Sequence, residues 1–246
     1  MAMILLVPGF WLGAWVWDDV AAELRSAGHS VRQHTLPGLA DRRAEAGPDV
    51  DLDAHVDDLV RTIRDGDLHD VVLVGHSGGG NPVTGVADRI PERLRRVVYV
   101  DTGPMPDGMA QFDFYPPQEQ RALRTRVAEH GDGWLIPVPP FDPTADPVNL
   151  AGLTAADLAT LRERGTPQPL ATSTQPMRRP ADPPAVPGSL VLCTFTPDQL
   201  RELAAAGHPV FGPMAKLDVH HLPTGHWPML SRSRELAALL DKLAST

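Results

Sequence analysis

Cysteine is nearly absent: one stands in 246 residues. That excludes an internal disulfide and leaves no cysteine-based metal spacing. Its place in the apolar run Leu190-Val191-Leu192-Cys193 points to a buried structural thiol. Basic charge is also short, with 22 Lys and Arg against 31 Asp and Glu and a net charge of −9. This balance argues against a nucleic acid or an anionic membrane as partner. Met1–Phe10 lacks a basic segment and has only the short apolar run Met3–Val7. It reads as neither a signal peptide nor a spanning helix, so a cytoplasmic protein is expected. No internal repeat is visible, and no low-complexity tract beyond a proline bias. What is present, 42% apolar and 22% charged residues, suits one large domain with a sizeable core.

Strand-like runs alternate with amphipathic segments, which predicts an α/β fold: a mostly parallel sheet of about six strands flanked by helices. The predicted strands are Met3–Val7, Ser30–His34, Val71–Val74, Val97–Val100, Leu190–Cys193 and Lys216–Val219. Leu52, Val56, Leu59, Val60 and Ile63 share one helical face. Val20, Ala21, Leu24 and Ala27 share another, with Gly28 as its stop, and Leu236, Leu239, Leu240 and Leu243 form a third. The alternation breaks after Pro104, in a proline-rich stretch with two helical pieces, Pro117–Glu129 and Ala155–Arg164. Residues 1–103 and 188–246 are therefore read as a core. Residues 104–187 are read as an inserted, mainly helical cap over the active site.

The pentapeptide Gly75-His76-Ser77-Gly78-Gly79 follows the run Val71–Val74 and precedes a stretch that can be helical. G-x-S-x-G between strand and helix is a nucleophile elbow, in which a strained turn lifts a serine hydroxyl above the sheet edge. Ser77 is the candidate nucleophile. It needs a base, an acid to orient the base and an oxyanion hole. In this arrangement the triad runs Ser, then Asp or Glu, then His along the chain. His226, in Pro223-Thr224-Gly225-His226-Trp227-Pro228, falls between the last strand and the last helix and is the expected base. Among the other histidines, His76 belongs to the elbow but points away from a base's position. His220 and His221 read as structural, and His55 as solvated on a helix face. Two carboxylates compete for the acid. Asp198 lies in a loop just past Leu190–Cys193 and is the expected acid; Asp101 directly follows Val97–Val100 and is the rival. The oxyanion hole is expected from the backbone N–H groups of Gly78 and of Phe10, in the loop after the first strand.

The segment Pro8-Gly9-Phe10-Trp11-Leu12-Gly13-Ala14-Trp15-Val16-Trp17 resembles the Gly-Ala-Trp-x-Trp stretch of α/β-hydrolases. It is most similar to the branch of plant methyl-ester hydrolases and hydroxynitrile lyases. The elbow and Gly225-His226 fall in the same order, and the resemblance covers almost the whole chain, least well in the cap. It implies a central sheet, a Ser-His-Asp triad and no cofactor, and its Asp-to-His separation favours Asp198. Two departures stand out. Pro8-Gly9 replaces the His-Gly found in many relatives, which leaves the backbone donor intact. Trp227 stands where hydroxynitrile lyases of this branch carry a lysine, so cyanohydrin cleavage is not expected.

Trp11 and Trp227 flank the oxyanion loop and the base, and the cap offers Phe112, Phe114, Tyr115, Trp134 and Phe141. Trp11, Trp134 and Trp227 are the candidate substrate contacts, suited to a small hydrophobic or aromatic group. Arg178 and Arg179 read as a solvated pair. The expected activity is carboxylic-ester hydrolysis through an acyl-enzyme, with a small hydrophobic molecule as partner and neither metal nor cofactor. Whether the protein is a monomer or a homodimer is left open. The alternatives are C–C or lactone hydrolysis or a lyase or cyclase step on the same triad, and a non-catalytic ligand-binding module.

Overall fold

Six parallel strands form the centre of the computed structural model, which describes residues 1–245. The strands are β1 (Met3–Val7), β2 (Ser30–Gln33), β3 (Val71–His76), β4 (Leu94–Val100), β7 (Gly188–Leu192) and β8 (Asp218–His221). Their spatial order is β2-β1-β3-β4-β7-β8, every neighbour parallel. The two-residue strands β5 (Leu135–Ile136) and β6 (Gln168–Pro169) form a separate antiparallel pair. The chain runs outward from β1 to β2, then returns to the other side of β1 with β3. The loops after β1 and β3 therefore meet at a topological switch point, where open α/β sheets bind ligands.

Alternate strand residues feed two cores. Ile4, Leu6, Val72, Val74, Val98 and Val100 point to one face, where α1 (Asp18–Ser26) and α10 (Ser233–Ser245) pack. Leu5, Val7, Val71, Leu73, Val97 and Tyr99 point to the other, against α2 (Leu52–Asp65) and α3 (Gly80–Arg89). β-Branched and leucine side chains buried on both faces are what a covered parallel sheet requires. The helical stripes read from the sequence supply the facing sides. Beside β7 and β8 lie α7 (Pro197–Ala205) and α8 (Phe211–Met214), and α9 (Pro228–Ser231) precedes α10. The last strand begins two residues later than the sequence suggested, at Asp218, where pairing with Ser189 starts.

Residues 104–187 carry α4 (Pro117–His130), α5 (Ala155–Arg164), α6 (Ala171–Thr174), β5 and β6. A small third core of Phe112, Leu123, Val127 and Ile136 packs inside this stretch. Among the described residues, no helix is long and apolar enough to cross a membrane.

Candidate active site

Ser77, Asp101, Thr194 and His226 lie in the segments that follow β3, β4, β7 and β8, at the carboxyl edge of the sheet. Ser77 follows β3 with φ +50°, and Asp101 follows β4 with φ +48°. Both are left-handed, a conformation uncommon for non-glycine residues, and Asp tolerates it better than most. The elbow needs bare backbone around it. A Cβ at Gly9 would stand 2.8 Å from Ser77 Cβ and 3.0 Å from His76 Nδ1. One at Gly78 would overlap the Phe10 ring. Gly9 thus lets the loop after β1 lie against the elbow, and Gly78 makes room for Phe10.

His226 Nε2 lies 2.7 Å from Ser77 Oγ, and its Nδ1 lies 2.6 Å from Asp101 Oδ2. The carboxylate fixes the tautomer: Nδ1–H donates to Asp101, and Nε2 is left to accept from Ser77. The Asp101 side chain is 1% exposed. Its Oδ1 accepts from the Cys193 N–H at 2.9 Å and the Thr194 N–H at 3.0 Å. Thr194 Oγ donates to the same carboxylate. Burial opposes ionisation, but the hydrogen bonds from His226, Thr194 and Cys193 outweigh it and hold the carboxyl below its ordinary range.

Asp198, the acid expected from the sequence, is not at the site. Thr196 caps α7, its Oγ accepting from the Gln199 N–H, and Pro197 opens the helix. Asp198 is therefore a first-turn residue beside a favourable helix dipole. Its side chain is 75% exposed and ion-paired with Arg201. The rival Asp101 meets His226 instead, because β4 and β7 are neighbours and the end of β7 supplies the donors that orient its carboxylate.

The His226 main chain is held from two sides. Its N–H donates to the Asn149 carbonyl at 2.7 Å, and its carbonyl accepts from His76 Nε2 at 2.6 Å. Burial, helped by the adjacent His226, pushes the His76 pKa down to about 3, so its ring is neutral. His55 is a correction to the sequence reading. It is buried rather than solvated, and its Nε2–H donates to the Pro37 carbonyl at 2.9 Å. Arg179 is likewise not part of a solvated pair; its guanidinium holds the buried Asp88 carboxylate at 2.7 and 2.8 Å.

A cavity of about 400 Å³ opens over Ser77 and His226. Phe10, Trp11, Gly78 and Trp227 line it, as do Tyr115, Phe141 and Leu150 from the stretch 104–187. Edge-to-face contacts link Trp11 to Phe141 and Phe141 to Trp227. Asp142 and Asp146 add carboxylates, and no Lys or Arg lines the cavity among the described residues. Trp134 does not line it: its carbonyl accepts from Leu170 N–H at 2.8 Å within the stretch 104–187, and aromatic content alone carried no direction. Sequence reasoning did not find Thr194 or the Asn149 clamp, since neither bears a local pattern. Among the described residues, no three or more His, Cys, Asp or Glu side chains gather as a metal site.

Residues 4–239 match the family model described as "Alpha/beta hydrolase family". The chain is 31% identical to a carbendazim hydrolyzing esterase from Nocardioides sp. (strain SG-4G), over 100% of this chain and 99% of that protein. It is 30% identical to putative methylesterase 12, chloroplastic, from Arabidopsis thaliana, over 45% of this chain and 32% of that protein. A solved extracellular alpha/beta-hydrolase from a Paenibacillus species superposes with a TM-score of 0.75 at 22% identity, covering 98% of each chain.

Proposed function

This chain belongs to the alpha/beta hydrolase family, and from that premise we propose that it hydrolyses a neutral carboxylic ester through a Ser77 acyl-enzyme. The observation that carries the reading is the unbroken relay Ser77 Oγ to His226 Nε2 and His226 Nδ1 to Asp101 Oδ2, at 2.7 and 2.6 Å. His226 Nε2 takes the hydroxyl proton as Ser77 Oγ bonds to the ester carbon. The carbonyl oxygen becomes an oxyanion facing the N–H groups of Phe10 and Gly78. Collapse of this intermediate breaks the bond to the alcohol oxygen, which leaves with the proton from His226. Water then repeats the attack, giving up its proton to His226, and releases the acid with the Ser77 hydroxyl restored. Asp101 keeps its negative charge throughout and stabilises the imidazolium.

Asp142 and Asp146, with no cation beside them in the lining, disfavour an anionic substrate. The aromatic wall supports a hydrophobic or aromatic group, and the inserted residues 104–187 act as a cap that closes the site. The esterase name of the Nocardioides relative supports the reaction class. Stopped-flow hydrolysis of p-nitrophenyl acetate tests the reading. A p-nitrophenol burst of about one equivalent per chain, followed by slower turnover, is expected. No release above the Ser77→Ala variant would reject ester hydrolysis.

A further inference from the structure

Phe10, Trp11 and Tyr115 line two cavities, not one. The first contains Ser77 and His226. The second, about 350 Å³, shares these three residues and meets Ala122 and Leu123 of α4 and Ile136 of β5. Leu123 and Ile136 are buried members of the insertion's own core, so its floor is apolar.

The shared lining is fixed at Trp11 and at Phe10. Trp11 has φ +67°, a strained conformation for a bulky residue. The insertion holds it there. Its N–H donates to Gln168 Oε1 at 3.1 Å, and its carbonyl accepts from the Thr166 N–H at 2.9 Å. Gln168 is fully buried, and its amide nitrogen donates to Thr172 Oγ at 2.8 Å, which locks its orientation. Phe10 occupies the room left by the missing side chain at Gly78. Strain held at one residue and bare backbone at another place two rings edge to face, 6.0 Å apart, in the lining that the two cavities share.

We propose that the second cavity is the distal lobe of the substrate site. It takes an apolar arm, an unbranched alkyl chain or an aryl ring, of an ester whose carbonyl lies at Ser77. Phe10 and Trp11 set the point at which the arm turns. This rests on the ester-hydrolase reading above. Together the lobes hold about 750 Å³, inside the range of about 300–1,000 Å³ usual for sites that bury most of a small ligand. Glu119 and Arg126 add one charge of each sign, so the lobe favours a neutral arm over an ionised one. Each methylene fully buried there raises kcat/KM by up to roughly fourfold.

Ala122→Trp fills the lobe from an exposed helix position, and Ala122→Phe fills it partly. The arm can belong to the acid or to the alcohol, so two series are needed: p-nitrophenyl acetate, butyrate and octanoate, and ethyl, butyl and octyl acetate followed by acid release. In the unaltered protein kcat/KM is expected to rise with length in one series, which identifies the arm. In that series Ala122→Trp lowers the long-to-short ratio at least tenfold, and Ala122→Phe by less. Length dependence that is the same in the unaltered protein and both variants, in both series, overturns the proposal. A small fluorophosphonate probe separates the two levels. Labelling with unaltered length dependence rejects only the lobe; no labelling and no turnover reject the ester reading and the lobe with it.

Discussion

Asp101→Asn separates the two carboxylates, and its effect follows from the hydrogen bonds around it. Cys193 N–H and Thr194 N–H both donate to Oδ1. An asparagine there keeps its carbonyl oxygen toward those two donors, which turns its NH2 group toward His226 Nδ1. An N–H facing Nδ1 forces the imidazole proton onto Nε2. Nε2–H then faces Ser77 Oγ and cannot accept its proton. The imidazolium also loses its counter-charge. The loss is expected to be roughly 10³- to 10⁴-fold in kcat, about 4–5.5 kcal/mol of transition-state stabilisation. Asp198→Asn, at an exposed helix start ion-paired with Arg201, is expected to change kcat by less than about twofold. The assay is p-nitrophenyl acetate turnover, with thermal unfolding to check that each variant folds. A kcat for Asp101→Asn within about tenfold of the unaltered protein would refute the tautomer argument. A larger loss at Asp198 would return the acid to that residue.

Two buried neutral histidines make stability fall with acid. Burial pushes the His55 pKa to about 4 and the His76 pKa to about 3, while an unfolded histidine titrates near 6.5. Below about pH 6.5 the unfolded chain binds protons that the folded chain refuses, so stability falls as pH drops toward 4. By pH 5 each histidine costs about 2 kcal/mol. Urea unfolding at pH 7.5 and 5.0 should show the decline, and His55→Gln should remove about half of it; equal stability at both pH values would count against it. Gly9→Ala puts a Cβ 2.8 Å from Ser77 Cβ and should lower kcat roughly 100-fold by displacing the loop that carries the Phe10 N–H, read by steady-state kinetics. Burial pushes the Cys193 thiol far up, so a disulfide reagent should modify it only in denaturant. Rapid modification of the native protein would contradict its burial.

The elbow was legible because its demand is local: a strand, a strained serine and small neighbours occupy consecutive positions. The sheet was legible for a similar reason, since burial on both faces demands unbroken runs such as Val71–Val74. The acid was not. Asp101 and Asp198 both follow predicted strands, and what separates them is the pairing of β4 with β7 and the donors of Cys193 and Thr194, brought together across more than ninety residues. One local signal did discriminate. Thr196-Pro197-Asp198-Gln199 is a capping box with proline at the first helical position, which marks Asp198 as part of a helix start. The stretch 104–187 was the least legible part. Its short elements are held by contacts such as Trp11 to Gln168, 157 residues apart, for which no sequence period exists.

Intact-mass and peptide analysis after exposure to a fluorophosphonate tests the activated serine most directly. One adduct per chain, on Ser77, is expected, with none on Ser77→Ala and strongly slowed labelling of Asp101→Asn. No adduct on the native protein, or an adduct on a residue other than Ser77, would contradict it.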